Sequence, residues 1–230
     1  MSKKSCTPCP RFEMDSYNWN DRYNLCCEQA KNKAADIIFI GDSITHFWDS
    51  KAIPNSHGGP VWDKYFSDKN VLNIGFGWDR TANVLWRLEH GHFAGQHPKL
   101  VVLNIGTNNF AKTENYPGDT PADVADGITA VLAALHKFSP ETHIIVMAVF
   151  PRGGSNEELQ VKVAELNQIM GKVLAGRTGI TFLDLTDKFM NTDGTQKKAL
   201  FLDGCHLNHE GYEIWANALL PLIHKFAGKV

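Results

Sequence analysis

Five short apolar runs punctuate this chain. They are Ile37-Ile-Phe-Ile40, Asn70-Val-Leu-Asn-Ile74, Leu100-Val-Val-Leu-Asn-Ile105, Ile144-Ile-Val-Met-Ala-Val149 and Ile180-Thr-Phe-Leu183. β-Branched residues are frequent in them, and each is too short for a globular helix, so they predict buried strands. The first three run into small polar turns: Gly41-Asp42-Ser43, Gly75-Phe-Gly-Trp-Asp79 and Gly106-Thr-Asn-Asn109.

Between the runs the period changes to that of a helix. Residues 11–33 are expected as one helix, with an untidy face of Tyr17, Tyr23 and Leu25. Pro54 and Gly58-Gly59-Pro60 interrupt the next stretch, and Val61 to Phe66 predicts a short helix. Thr81 is expected to cap a helix carrying Val84, Leu85 and Leu88. Thr120, followed by Pro121 and Asp123, reads as the start of a helix whose Ile128, Val131, Leu132, Leu135 and Phe138 face the sheet. Ser155 with Glu158 predicts another capped start, ahead of Leu159, Val163, Leu166, Met170 and Val173. A last helix carries Tyr212, Trp215, Leu219 and Ile223.

Strands alternating with amphipathic helices imply a mostly parallel sheet covered on both faces, hence an α/β fold. Neither a repeat nor a linker divides the chain. Residues 11–230 are expected as a single domain, and the polar residues 1–10, with two prolines, as a flexible arm.

Composition narrows the function. The chain has 230 residues, 43% of them hydrophobic and 21% charged, which suits one compact core. A net charge of −2 without a basic run does not favour nucleic acid. No run approaches the roughly 18–20 apolar residues of a membrane span. No apolar segment follows Lys3-Lys4, so the chain reads as lacking a signal peptide and a cytoplasmic location is expected. Five cysteines, an odd number in a chain of this size, are expected as reduced thiols. Cys6 and Cys9 form a CxxC pair, but no second pair completes a zinc site.

The candidate chemistry lies in the turns. In an open parallel sheet the carboxyl ends of the strands share one edge, where ligands bind. That edge presents Ser43, Gly75 and Asn108 together. Ser43 also opens a predicted helix, whose N-terminus favours negative charge. Far along the chain, Asp203 and His206 are three residues apart and can share a loop. A serine needs a base to take its proton, and the base needs a carboxylate to fix its tautomer. Ser43, His206 and Asp203 supply those types. The Ser43 and Gly75 N–H groups and the Asn108 amide are suited to hold an oxyanion.

Gly41-Asp42-Ser43, Gly75 within Asn73-Ile-Gly-Phe-Gly-Trp-Asp79, Gly106-Thr-Asn-Asn109 and Asp203-Gly-Cys-His206 together resemble the four sequence blocks of the SGNH, or GDSL, hydrolases. The blocks occur in the family's order and span residues 41–206. Within that superfamily the chain looks most like the catalytic subunits of intracellular platelet-activating-factor acetylhydrolase, in Val102-Leu-Asn-Ile-Gly-Thr-Asn-Asn109 and Asp203-Gly-Cys-His-Leu-Asn-His-Glu-Gly-Tyr212. The resemblance implies a three-layer α/β/α sandwich with a five-stranded flavodoxin-like sheet. It implies cofactor- and metal-independent hydrolysis of small acyl esters, often acetyl esters, with an acetylated lipid or sugar as substrate, and it suggests a homodimer. It makes Ser43 the nucleophile, His206 the base, Asp203 its orienting carboxylate, and Gly75 and Asn108 oxyanion donors. Two positions depart from the common pattern: Asn109 stands where many members have Asp, and Cys205 replaces an apolar residue.

Trp48, Phe76, Trp78 and Phe150 sit at predicted strand exits, where they can line an acyl or alcohol pocket or pack in the core. Cys205 can join the pocket wall. Arg80 and Arg152 can meet a polar or anionic leaving group, with salt bridges as the alternative. His209 competes with His206 as base. The leading function is a short-acyl carboxylester hydrolase. The alternatives are a carbohydrate O-acetylesterase, an acyltransferase and a catalytically silent binding module. Strand one lacks both glycine-rich phosphate motifs, which disfavours a nucleotide site.

Overall fold

The computed structural model describes residues 3–14, 17–49, 58–153 and 157–228. Its centre is a sheet of five strands: β1 (Ile37–Gly41), β2 (Val71–Gly75), β3 (Leu100–Asn104), β4 (His143–Met147) and β5 (Ile180–Leu183). They lie in the order β2-β1-β3-β4-β5 and every pairing is parallel. This is the doubly wound, flavodoxin-like order. Helices α1 (Trp19–Asn32), α2 (Ser43–His46), α3 (Gly59–Phe66), α4 (Thr81–Arg87), α5 (Pro121–Phe138), α6 (Glu157–Leu174), α7 (Thr186–Phe189) and α8 (His209–Ala227) complete the three layers.

Side chains alternate across a strand, so β1 feeds both cores. Ile38 and Ile40 pack with Val84 and Leu85 of α4, Val131 of α5 and Leu166 of α6. Ile37 and Phe39 pack on the opposite face with Trp62 and Phe66 of α3 and Trp215 and Leu219 of α8. Burial of each such side chain contributes about 1.5–3 kcal/mol before conformational entropy is set against it. The register places Gly41 beside both Gly75 and Asn104. Three strand ends therefore finish level, and their exit turns meet.

Several boundaries differ from those predicted. α1 begins at Trp19 rather than near residue 11, because the Asn18 side chain accepts from the backbone N–H groups of Asn20 and Asp21 and caps it there. Thr81 does not cap α4. It is the first helical residue, and the Asn83 side chain accepts from the Arg80 N–H instead. The Thr81 hydroxyl is turned to the Ser5 carbonyl, at 2.8 Å. That bond belongs to a larger correction, since residues 3–10 are not a loose arm. Ser5 is buried, the Cys9 N–H donates to the Ala82 carbonyl at 3.1 Å, and Lys3 pairs with Asp123 at the start of α5.

Thr120 caps α5 as expected, accepting from the Asp123 N–H at 3.2 Å with Pro121 in first position. The expected cap at Ser155 and the break at Pro54 lie outside the described residues. Among the described residues no helix is long and apolar enough to cross a membrane.

Candidate active site

β1 delivers the chain to the edge of the sheet and Asp42 turns it. The Asp42 side chain accepts from the Ile44 N–H at 2.9 Å and caps the single turn of α2. Ser43 is the first residue of that turn. From the other end of the chain, the loop 202–206 comes to meet it. An antiparallel bridge between Phe201 and Leu207 and a bond from the Leu202 N–H to the His206 carbonyl, 2.9 Å, close this loop. Asp203 organises its interior, one carboxylate oxygen accepting from the N–H groups of Cys205 at 2.9 Å and His206 at 2.8 Å.

The second Asp203 oxygen lies 2.7 Å from His206 Nδ1, and His206 Nε2 lies 2.8 Å from Ser43 Oγ. The two bonds fit one tautomer, in which Nδ1–H donates to the carboxylate and Nε2 accepts from the hydroxyl. Desolvation raises the Asp203 carboxyl, but the backbone N–H of His206, its imidazole and the Cys205 N–H outweigh it and hold the group below its ordinary range. The carboxylate is thus kept in its ionised form beside the imidazole. His209 takes no part in this arrangement. It is the first residue of α8, which Asn208 caps.

The cleft over these groups has a volume of ≈ 260 Å³. Its polar lining is Ser43, Asn108, Arg152, Asp203, Cys205 and His206, and Phe47, Trp78 and Ala111 supply the apolar part. A larger hollow of ≈ 430 Å³ beside Leu25, Trp62 and Lys69 contains none of these groups. Asn108 is 8% exposed, and its side-chain amide donates to the Asp79 carbonyl at 3.1 Å. One amide hydrogen is spent on that bond and the other is left for the cleft.

Gly75 occupies a different place from the one expected. Its N–H donates to its own strand neighbour, the Asn73 side chain, at 2.9 Å, and its carbonyl accepts from Arg22. It does not line the cleft. What requires glycine there is close packing under α2, where a Cβ would stand 2.6 Å from the His46 nitrogen. Sequence reasoning singled out Trp78 for its ring alone and missed its backbone N–H. The residue lines the cleft, and its N–H has no hydrogen-bond partner among the described residues. The one available signal was the polar turn beyond Gly75, which carries the chain past the strand end and over the site.

The other pocket candidates divide. Trp78 and Cys205 line the cleft, as does Arg152. Trp48 is fully buried against Trp215 and Tyr212, Phe150 packs on Phe189 and Trp215, and the buried Phe76 ring takes the guanidinium groups of both Arg22 and Arg87. These three are core residues. Arg80 is also fully buried. Its Nε donates to the Asn108 carbonyl at 3.0 Å, it pairs with Glu13 at 3.0 Å, and it rests on the Tyr116 ring. It holds the turn carrying Asn108 from behind rather than meeting a substrate. Phe47, not singled out from the sequence, places its ring 5.1 Å from that of His206.

Arg152 donates to the Thr107 hydroxyl at 3.3 Å and to the Cys205 sulfur. Burial nevertheless pushes the Cys205 thiol up to about 12, against the pull of Arg152. A thiol held neutral in this way is not a competing nucleophile. Among the described residues no group of three or more His, Cys, Asp or Glu side chains is arranged to hold a metal ion.

The chain has relatives among known proteins. The model of the GDSL-like lipase/acylhydrolase family matches residues 39–214. The chain is 32% identical over 205 residues to the human platelet-activating factor acetylhydrolase IB subunit alpha1, covering 89% of this chain and 82% of that one. It is 30% identical over 205 residues to the chicken (Gallus gallus) alpha2 subunit, with coverage of 89% and 83%. Among solved structures, a GDSL-like lipase from Bacteroides thetaiotaomicron superposes with a TM-score of 0.71 at 20% identity, covering 88% of this chain and 97% of that one. An acetylxylan esterase from Geobacillus stearothermophilus gives 0.63 at 18%, with coverage of 83% and 94%, and these two likenesses concern the fold alone. By the match to its model and the identity to its members, the chain belongs to the GDSL-like lipase/acylhydrolase family.

Proposed function

We propose that the protein is a serine carboxylester hydrolase for short-acyl esters, acetyl esters above all, working through an acyl-enzyme. The observation that carries this reading is the unbroken hydrogen-bonded series Asp203–His206–Ser43, with distances of 2.7 and 2.8 Å. Ser43 Oγ attacks the ester carbonyl as His206 Nε2 takes its proton. The imidazolium that forms is stabilised by Asp203, which stays ionised. The negative oxygen rests on the Ser43 N–H, the free hydrogen of the Asn108 amide and the Trp78 N–H. The last replaces Gly75, whose N–H is already engaged. His206 then gives its proton to the leaving alcohol. Water, activated by the same imidazole, releases the acid.

Two observations favour a short acyl group. The cleft, ≈ 260 Å³, is smaller than the roughly 300–1,000 Å³ of pockets that take drug-sized ligands. The relatives at 32% identity are named as acetylhydrolases. The test is hydrolysis of chromogenic esters from acetyl to octanoyl by the parent and by Ser43→Ala, each with and without chelator. Activity should fall steeply beyond acetyl or butyryl, vanish in the variant and ignore the chelator. Activity retained by folded Ser43→Ala would remove the reading.

A further inference from the structure

Trp78 is the one non-glycine residue with positive φ among the described residues, at +63°. An L residue with a large side chain is strained there, and glycine is the residue that such a turn ordinarily takes. The turn around it cannot relax. Gly77 N–H donates to His46 Nδ1, Tyr17 donates to the Gly77 carbonyl, and the Asp79 N–H donates to the Phe76 carbonyl. The Asp79 carboxylate is held by Arg87 Nε at 2.8 Å and the Asp79 carbonyl by Asn108.

The strain is not offset by packing. Trp78 is 40% exposed, whereas Trp19, Trp48, Trp62 and Trp215 are buried. Among the described residues its indole has neither a ring contact nor a hydrogen bond. What it does have is a place on the wall of the cleft that holds Ser43. Phe47, the other aromatic side chain lining it, lies against His206, which leaves the Trp78 ring as the free aromatic surface of the site among the described residues. Glycine would present the same N–H without strain, so a strained indole with no packing partner among the described residues points to a ligand.

We infer that the Trp78 indole determines specificity for the alcohol half of the ester, selecting alcohols that present a ring face against it. This rests on the hydrolase reading above. A flat indole gains most from a planar aromatic or a C–H-rich ring and little from a short open chain.

The experiment compares benzyl acetate with ethyl acetate, which share the acyl group and release alcohols of similar acidity. It uses the parent, Trp78→Gly and Trp78→Ala. Both variants keep the backbone N–H and remove the indole, but only glycine relieves the positive φ. The ratio of kcat/KM for benzyl over ethyl acetate should fall roughly three- to tenfold in both variants, through KM of the benzyl ester. Trp78→Gly should melt no lower than Trp78→Ala. A second arm needs no turnover: binding of intact benzyl acetate to Ser43→Ala should weaken by a similar factor when Trp78→Gly is added. An unchanged ratio and unchanged binding in the glycine variant overturn the inference, as does a loss seen with alanine alone, which would trace to a distorted turn. If the parent cleaves neither ester, the hydrolase reading fails, and the binding arm still decides the role of Trp78.

Discussion

The side-chain amide of Asn108 donates to the backbone carbonyl of Asp79 at 3.1 Å, tying the turn after β3 to the turn after β2. This bond fixes which end of the amide is nitrogen and aims its remaining hydrogen. Asn108→Ala removes one oxyanion donor and should lower kcat about 10²–10³-fold with little change in KM. Asn108→Asp should be at least as damaging, because it sets a carboxylate oxygen against the Asp79 carbonyl. Steady-state kinetics on a chromogenic acetate decides it. A loss confined to KM would mean that Asn108 binds the ground state and not the developing charge.

Behind that bond lies a buried ion pair. Arg87 and Asp79 are both almost wholly removed from water, and Arg87 Nη1 also donates to the Ile74 carbonyl at 3.0 Å. Asp79→Asn leaves the guanidinium buried without its counter-charge, which should cost about 3–5 kcal/mol of stability. Denaturant unfolding of parent and variant gives the difference. A change below about 1 kcal/mol would show that water or another carboxylate replaces the pair.

Asp203→Asn separates orientation from fold. An asparagine oxygen can still accept from the Cys205 and His206 N–H groups and keep the loop closed. Its amide, however, faces His206 Nδ1 with a donor. The ring must then carry its proton on Nε2 and cannot accept from Ser43. We expect kcat to fall about 10³-fold with the melting temperature nearly unchanged. A variant that keeps most of its activity would leave the imidazole oriented by something other than Asp203.

Asp42 predicts a pH effect on stability. Burial pushes its carboxyl from 3.8 up to about 7, and nearby Asp79 adds to the rise, while the Ile44 N–H and Arg152 oppose it. Its second oxygen is buried without a hydrogen bond among the described residues. The folded carboxyl therefore holds a proton that the unfolded chain gives up. Its stabilising contribution is complete below about pH 4 and is lost as pH rises toward 7, with a slope of up to about 1.4 kcal/mol per pH unit. Asp42→Asn cannot titrate, so the difference in unfolding free energy between parent and variant should follow this slope. Parallel stability curves from pH 4 to 7 would show that Asp42 does not contribute it.

What the sequence made legible follows the range over which each feature is determined. The strands, their parallel pairing and the Thr120 start of α5 depend on local pattern and were readable from it. The meeting of Ser43, His206 and Asp203 was readable because three residue types, each at the edge of a predicted element, fit one chemistry together. The open and mistaken readings arise where distant chain decides. Arg80 reads equally as a contact for a polar or anionic leaving group and as a salt-bridge partner, until Glu13, Asn108 and Ala111 converge on it and decide for the second. Phe76 directly follows β2 and fits a pocket wall or the core equally from sequence, and two arginines from α1 and α4 packed over its ring decide for the core. Gly75 carries the motif, but the N–H without a partner among the described residues belongs to Trp78, three residues on. Only the path of the turn, set by His46, Tyr17 and Arg87, separates the two.

The most direct test of the Ser43–His206–Asp203 assignment is covalent capture. The native protein would be treated with a serine-directed fluorophosphonate and the modified peptide identified by mass spectrometry. The account predicts a single adduct, on Ser43, abolished in His206→Ala and slowed in Asp203→Asn. An adduct on another residue, or labelling of Ser43 that is equally fast without His206, would contradict it.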